Sequence, residues 1–192
     1  MLYHRDLITA VRRSREAEVH FFSSSAKPER ERWVVGEFLS LLDIPFSSNE
    51  LESEPEDGPV DVSFREARFQ VKEIVDPSER RHGEIKQSLE RARNATTPRN
   101  LIEPAIARDI VLADLAELLH DVASSTKYPS RQRSALDVLI YVTRPYAGFS
   151  EPAPQAWGAL SSLGWRSISC LFGQQALLLV ATSASPEFLR PK

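Results

Sequence analysis

The sequence contains little of what several classes of protein require. Its single cysteine, Cys170, can form neither an internal disulfide nor a zinc site built from several thiolates, which suits a reducing cytoplasm. No apolar run reaches the roughly 18 residues of a membrane span, and the charged N-terminal stretch lacks the apolar core of a secretory signal. These absences predict a cytoplasmic protein with no membrane association.

What is present is an ordinary globular composition with an uneven charge distribution. The 192 residues are 42% apolar and 27% charged, and we expect one domain over 1–192. The net charge of −3 excludes a uniformly basic nucleic-acid coat. Residues 51–76 carry eight acidic and three basic side chains, whereas residues 77–100 carry six basic and three acidic ones. Such a pair is either two solvated faces or a site that handles both metal and phosphate.

Hydrophobic periodicity predicts an α/β fold with a central mixed β-sheet flanked by helices. An N-terminal helix, over about 4–22, precedes the core. The other predicted elements are a helix over 28–42, a β-hairpin over 59–75, helices over 78–95 and 104–122, a strand over 135–143, a helix over 152–163, and strands over 165–172 and 175–182.

The hairpin is the most informative segment because one of its faces is entirely polar. With a two-residue turn at Glu66–Ala67, side-chain alternation separates an apolar face from a polar one. The predicted pairs, from the turn outward, are Arg65 with Arg68, Phe64 with Phe69, Ser63 with Gln70, Val62 with Val71, and Asp61 with Lys72. A carboxylate, a carboxamide and an ammonium group therefore converge within about 5–8 Å.

These three groups suit a site for a hard cation and a phosphate. Mg²⁺ prefers oxygen ligands, of which Asp61 offers a charged one and Gln70 a neutral one. Lys72 can orient an attacking water or neutralise charge that develops on the phosphate. The alternative is an ordinary exposed strand pair with an Asp–Lys contact.

The motif resembles a known nuclease signature. Pro59-Val60-Asp61 followed by Gln70-Val71-Lys72 is similar to PD-(D/E)xK, in the Q-x-K variant of Mrr-type restriction endonucleases. Residues 29–34, 61–86 and 186–190 also resemble a bacterial family described as endonucleases of unknown function. The resemblance implies a restriction-endonuclease-like three-layer sandwich and hydrolysis of DNA phosphodiesters that depends on Mg²⁺, with Mn²⁺ as a substitute. Gln70 stands where the signature has Asp or Glu, which removes one negative charge from the metal site.

The resemblance also implies a glutamate from the first core helix near the metal. Glu31 and Glu37 are the candidates, and we favour Glu31 because it shares the helix face of Val35 and Phe38. The alternative for either is a surface carboxylate in a pair with a residue four positions away.

The basic helix that follows the hairpin is the predicted nucleic-acid contact. Arg80, Arg81, His82 and Lys86 could neutralise DNA phosphates, and the alternative is a solvated basic face.

We therefore expect a Mg²⁺-dependent endonuclease with DNA as its partner. The main alternative is a catalytically inactive nuclease-fold module that binds nucleic acid or protein, and a third class is a purely structural oligomerisation domain. The sequence leaves open the form of the nucleic acid, any sequence preference and the oligomeric state, with a homodimer as one option.

Overall fold

A computed structural model describes residues 2–55, 57–74, 81–102, 108–110, 112–125, 127–142, 146–149 and 158–190. The helices in these ranges are α1 (Leu2–Phe21), α2 (Lys27–Leu41), α3 (Arg81–Asn94), α4 (Leu112–Ser124), α5 (Ser130–Arg133) and α6 (Gly158–Ser161). The strands are β1 (Glu52–Ser53), β2 (Val62–Phe64), β3 (Ala67–Ile74), β4 (Arg108–Ile110), β5 (Asp137–Val142), β6 (Tyr146–Phe149), β7 (Ser167–Phe172) and β8 (Gln175–Ala181). None of the helices described has the length and hydropathy needed to cross a bilayer.

Backbone contacts divide the chain into two compact units. Unit 1 comprises Met1–Arg30 and Val75–Ile106, and unit 2 comprises Glu31–Ile74 and Ala107–Lys192. Within unit 1, α1 packs against α3, and the Arg12 side chain donates to the carbonyl of Arg93 at 3.1 Å. Unit 2 contains the main sheet. A single domain over 1–192 stays a prediction.

Unit 2 is built on an open six-stranded sheet in the order β1-β2-β3-β5-β7-β8. The first three strands pair antiparallel, β3, β5 and β7 pair parallel, and β8 returns antiparallel to β7. The predicted mixed α/β architecture with a central sheet is therefore confirmed.

One predicted element is wrong in part. The sequence predicts a single helix over 104–122, but the described part of that range contains strand β4 before α4 begins at Leu112. β4 pairs with β6 in a separate two-stranded parallel sheet. This long-range pairing supplies backbone partners that a local apolar pattern cannot show.

The central strands are buried on both faces, because helices cover the sheet from both sides. One face packs against α4 and α6 through Ile74, Leu119, Ala123, Val138, Ile140, Leu160, Ile168 and Cys170. The other face packs against α2 through Val34, Val35, Phe38, Leu39, Val62, Phe64, Phe69, Leu139 and Leu171. Strand β5 accordingly reads as a continuous apolar run, as expected for a strand covered on both sides.

Candidate functional site

The hairpin that carries the candidate site has the predicted faces but a different register. Phe64 pairs with Ala67, so the two-residue turn is Arg65–Glu66. Ala67 is fully buried, which places it in the strand, and Arg65 adopts the left-handed backbone that the turn needs, with φ of +49°. The predicted register is therefore wrong by two residues. Because side chains alternate with a period of two, the two faces are unchanged.

In the corrected register Val62 pairs with Phe69, so Asp61, which directly precedes β2, lies beside Gln70 instead of opposite Lys72. The Asp61 backbone N–H donates to the carbonyl of Phe69 at 2.8 Å, which holds Asp61 against β3. Its carboxylate oxygen Oδ2 accepts the Val71 N–H at 2.8 Å and also accepts a hydrogen bond from Gln70 Nε2. The hairpin thus holds the carboxylate and the carboxamide in direct contact.

The side-chain oxygen of Gln70 is buried and takes no part in the hydrogen bonds with Asp61. The residue is 3% exposed, and its Oε1 has no hydrogen-bond partner among the described residues. Turning the amide round would bring Oε1 against the negative Asp61 oxygen, so the donated hydrogen bond fixes its orientation. A buried carbonyl oxygen without a partner costs about 1–3 kcal/mol, and a cation would remove that cost.

Lys72 lies two residues beyond Gln70 on the same face of β3. It is half-buried and lies beside Ile140 of the neighbouring strand. In the parts of the chain that the structure describes, no ion pair engages its ammonium group. A positive charge is therefore available next to the Asp61–Gln70 pair.

Helix α2 distinguishes between the two predicted helix carboxylates, because it buries Glu31 and exposes Glu37. The buried face of α2 packs against the side of the sheet that carries Phe69, with the Phe38 and Phe69 ring centroids 6.3 Å apart. Gln70 lies on the opposite side of the sheet. The participation of Glu31 in one metal centre with the hairpin carboxylate therefore stays a prediction.

The pair on the hairpin suits a magnesium ion better than a metal that needs a full set of protein ligands. Among the described residues, no three His, Cys, Asp or Glu side chains are grouped so that they could hold a metal. Mg²⁺ needs less, since it keeps several waters and takes one or two protein oxygens together with substrate phosphates. The Asp61 carboxylate and Gln70 Oε1, which has no hydrogen-bond partner among the described residues, could supply two such oxygens.

Only part of the predicted nucleic-acid contact can be placed. Lys86 is exposed on α3. Arg80 lies outside the described residues, and so do the side chains of Arg81 and His82, although their backbones belong to α3. The same helix borders an open surface cavity of about 690 Å³, lined by Lys86, Gln87, Glu90, Arg91, Asn94, Thr96 and Asn100.

A buried ion pair lies beside the turn of the hairpin, and no pattern in the sequence indicated it. The Asp137 side chain is 1% exposed and forms an ion pair with Arg166, which is 13% exposed. The Asp137 carboxylate also accepts the Arg68 N–H at 2.9 Å and the Ser167 hydroxyl at 2.7 Å. Arg166 reaches the carbonyl of Glu66, in the hairpin turn, at 3.0 Å. This cluster ties three strands to the turn and so positions the hairpin.

Cys170 is fully buried in β7, and burial raises the pKa of its thiol. Because the thiolate is the reactive form, we expect the native protein to resist alkylation and the urea-unfolded protein to react completely. Mass spectrometry after iodoacetamide treatment measures both states. Rapid labelling of the native protein would contradict the buried position.

The fold and the hairpin together define a mixed α/β protein with an Asp–Gln pair on one face of its sheet. The chain belongs to the family described as "Putative endonuclease, protein of unknown function (DUF1780)", whose model matches residues 3–192. It is similar in structure to a protein of unknown function from Pseudomonas aeruginosa, described as monooxygenase superfamily. The identity is 28% and the TM-score 0.61, over 96% of this chain and 89% of the other. No curated protein matches the chain.

Proposed function

We propose that this protein is a metal-dependent nuclease that hydrolyses DNA phosphodiester bonds by a PD-(D/E)xK-type mechanism on a restriction-endonuclease-like fold. The observation that carries the proposal is the contact between Asp61 and Gln70, with Lys72 next along the same face. The description of the family as an endonuclease supports the same chemistry.

Asp61 and Gln70 are the residues that would hold Mg²⁺, or Mn²⁺ in its place. The bound ion would supply a Lewis acid for a phosphoryl oxygen. Gln70 is suited to this role because its Nε2 donates a hydrogen bond to Asp61, whereas its buried Oε1 lacks a partner among the described residues. The Val71 N–H holds the Asp61 carboxylate against β3. Glu31 is the proposed additional carboxylate, acting directly or through water.

Lys72 is the proposed group that acts on the attacking water or on the scissile phosphate. A fixed cation next to developing negative charge stabilises a transition state more than a ground state. Its half-buried position strengthens this electrostatic effect relative to a fully solvated lysine.

The first test is cleavage of plasmid and single-stranded DNA with Mg²⁺ or Mn²⁺, by the wild type and by Asp61→Asn. We expect the variant to lose both cleavage and Mn²⁺ binding, because it loses the charged metal ligand. It should still fold, because the oxygen that asparagine retains can accept the hydrogen bonds that Asp61 Oδ2 accepts from Gln70 Nε2 and Val71 N–H. Calorimetric titration with Mn²⁺ measures the binding, and circular dichroism checks the fold.

A catalytically inactive module that binds nucleic acid or protein is the second candidate. It is favoured by the two hydrogen bonds that Asp61 Oδ2 already accepts, because they compete with a metal for this carboxylate. Wild-type protein that binds DNA but cleaves no nucleic acid would support this candidate against the nuclease. Cleavage that is lost in Asp61→Asn would exclude it.

A further inference from the structure

The two compact units differ in the sign of their charge. Unit 1 carries 12 basic and 9 acidic side chains, a formal charge of +3, whereas unit 2 carries 12 basic and 18 acidic ones, a formal charge of −6. A net charge of −3 for the chain therefore conceals a basic unit. A polyanion that associates with this protein is attracted to unit 1.

The cavity beside α3 lies wholly within this basic unit. Lys86, Glu90 and Asn94 follow one another at intervals of four on one face of the helix, and Gln87 and Arg91 lie beside them. The opposite face is used for packing, since Ile85, Leu89 and Ala92 are buried. The cavity is thus bordered by the outer face of α3.

The lining presents cations and amide groups. Lys86 and Arg91 are exposed, and Glu90, the one carboxylate among the described lining residues, forms an ion pair with Arg93 at 2.9 Å. The side-chain oxygen of Asn100 accepts the Thr97 N–H at 3.0 Å and the Thr97 hydroxyl at 2.9 Å. This leaves the amide hydrogens as the donors that Asn100 can present to a ligand.

We propose that this cavity binds the sugar-phosphate backbone of duplex DNA. Lysine, arginine and carboxamide side chains are the groups that contact phosphate and sugar oxygens. Proteins that hold single strands also supply aromatic rings on which bases stack, and the described residues that line this cavity include none. The bases of a duplex are already stacked on one another, so a lining of this kind suits a duplex.

The choice of nucleic acid as ligand rests on the proposed function, but the test does not depend on cleavage. Fluorescence anisotropy of a labelled duplex, with the full chain in EDTA and over a series of salt concentrations, measures binding alone. The variant is Lys86→Gln with Arg91→Gln. The matched control is Arg5→Gln with Arg13→Gln, which removes two exposed cations of the same unit from α1.

We expect the cavity variant to bind about 60-fold more weakly at 0.1 M salt, with the slope of log K against log salt reduced by about 1.8, if each side chain neutralises one phosphate. The control variant should bind nearly as the wild type does. Glu90→Gln should bind more tightly, because it removes the only carboxylate of the described lining. All four positions in the double variants are exposed, so circular dichroism should show intact folds.

Three outcomes would overturn the proposal. The slope of the cavity variant could equal that of the wild type, the two double variants could weaken binding equally, or a single strand could bind more tightly than the duplex. Duplex binding through the cavity by a wild type that cleaves nothing would reject the proposed nuclease and leave the cavity proposal intact. Cleavage by the wild type, together with normal DNA binding by the cavity variant, would support the proposed nuclease and reject the cavity proposal.

Discussion

Replacement of Lys72 by alanine is expected to abolish cleavage and to leave DNA affinity largely intact. The rate should fall by at least about 100-fold, the magnitude found when one fixed electrostatic group is removed from a transition state. Affinity should change little, because a contact made mainly in the transition state contributes little to ground-state binding. Single-turnover cleavage at saturating protein separates the rate from the affinity, and anisotropy in EDTA measures the affinity directly.

The chain offers matched controls for this prediction. Lys72→Met keeps most of the side-chain length beside Ile140 but removes the charge, so it should lose activity as alanine does. Arg68→Met removes a cation from the same strand and the same face, on the other side of Gln70, where the side chain is exposed. We expect Arg68→Met to retain activity. Equal losses in Arg68→Met and Lys72→Met would show a general effect of charge, and full activity in Lys72→Ala would reject the mechanism.

The faces of the hairpin could be predicted from the sequence because burial fixes the parity of a strand. Val62, Phe64 and Phe69 alternate with polar residues, and a shift of one position would have buried Asp61 among them. The register within that parity depends on the turn. Arg65 occupies the left-handed position, where glycine or asparagine would have indicated the turn. The register predicted from the sequence is therefore wrong by two residues.

Contacts that hold Arg65 in this turn come from elsewhere in the chain. Its guanidinium donates to the carbonyl of Pro45 at 2.8 Å and lies 4.7 Å from the centroid of the Phe64 ring. The cost of a left-handed arginine is thus offset by interactions that local turn preferences do not include. The consequence for the site is direct, because the neighbour of Asp61 is Gln70 rather than Lys72.

The burial of Glu31 could be predicted from its position on α2, whereas its distance from the hairpin carboxylate could not. Helical spacing places Glu31 on the face that contains Val35 and Phe38. Which side of the sheet receives that face depends on the connection between α2 and β3, and periodicity within either element does not specify it. The cavity beside α3 could not be predicted for the same reason, since Asn100 lines it from a separate element, the 3-10 helix Pro98–Leu101.

The buried pair of Asp137 and Arg166 could not be predicted from a local sequence pattern, because it joins residues that are far apart in the chain. Asp137 lies within the apolar run 135–143 that predicts a buried strand and is the first residue of β5, and its partner lies in the segment before β7. A carboxylate at the start of a strand is usually solvated. Here the parallel alignment of β5 with β7 places Asp137 beside Ser167, next to Arg166 in sequence, and the charge is neutralised in the interior.

Substitution of Asp137 by alanine is therefore expected to lower the free energy of unfolding by about 3–5 kcal/mol. The substitution removes the carboxylate that accepts hydrogen bonds from the Arg166 guanidinium, the Ser167 hydroxyl and the Arg68 N–H. Urea unfolding followed by circular dichroism measures the loss. Asp121→Ala is the matched control, because the Asp121 side chain is 76% exposed and its removal should change stability by no more than about 0.5 kcal/mol.

A double-mutant cycle shows whether the loss comes from the pair or from an altered strand. Arg166→Met alone leaves the buried Asp137 carboxylate without its positively charged partner, so it should destabilise the protein about as much as Asp137→Ala does. Combining the two changes should cost clearly less than the sum of the single losses, because neither unpaired charge then remains. Strictly additive losses would show that the two side chains do not interact. A loss below about 1 kcal/mol for Asp137→Ala would show that the pair does not stabilise the turn end of the hairpin.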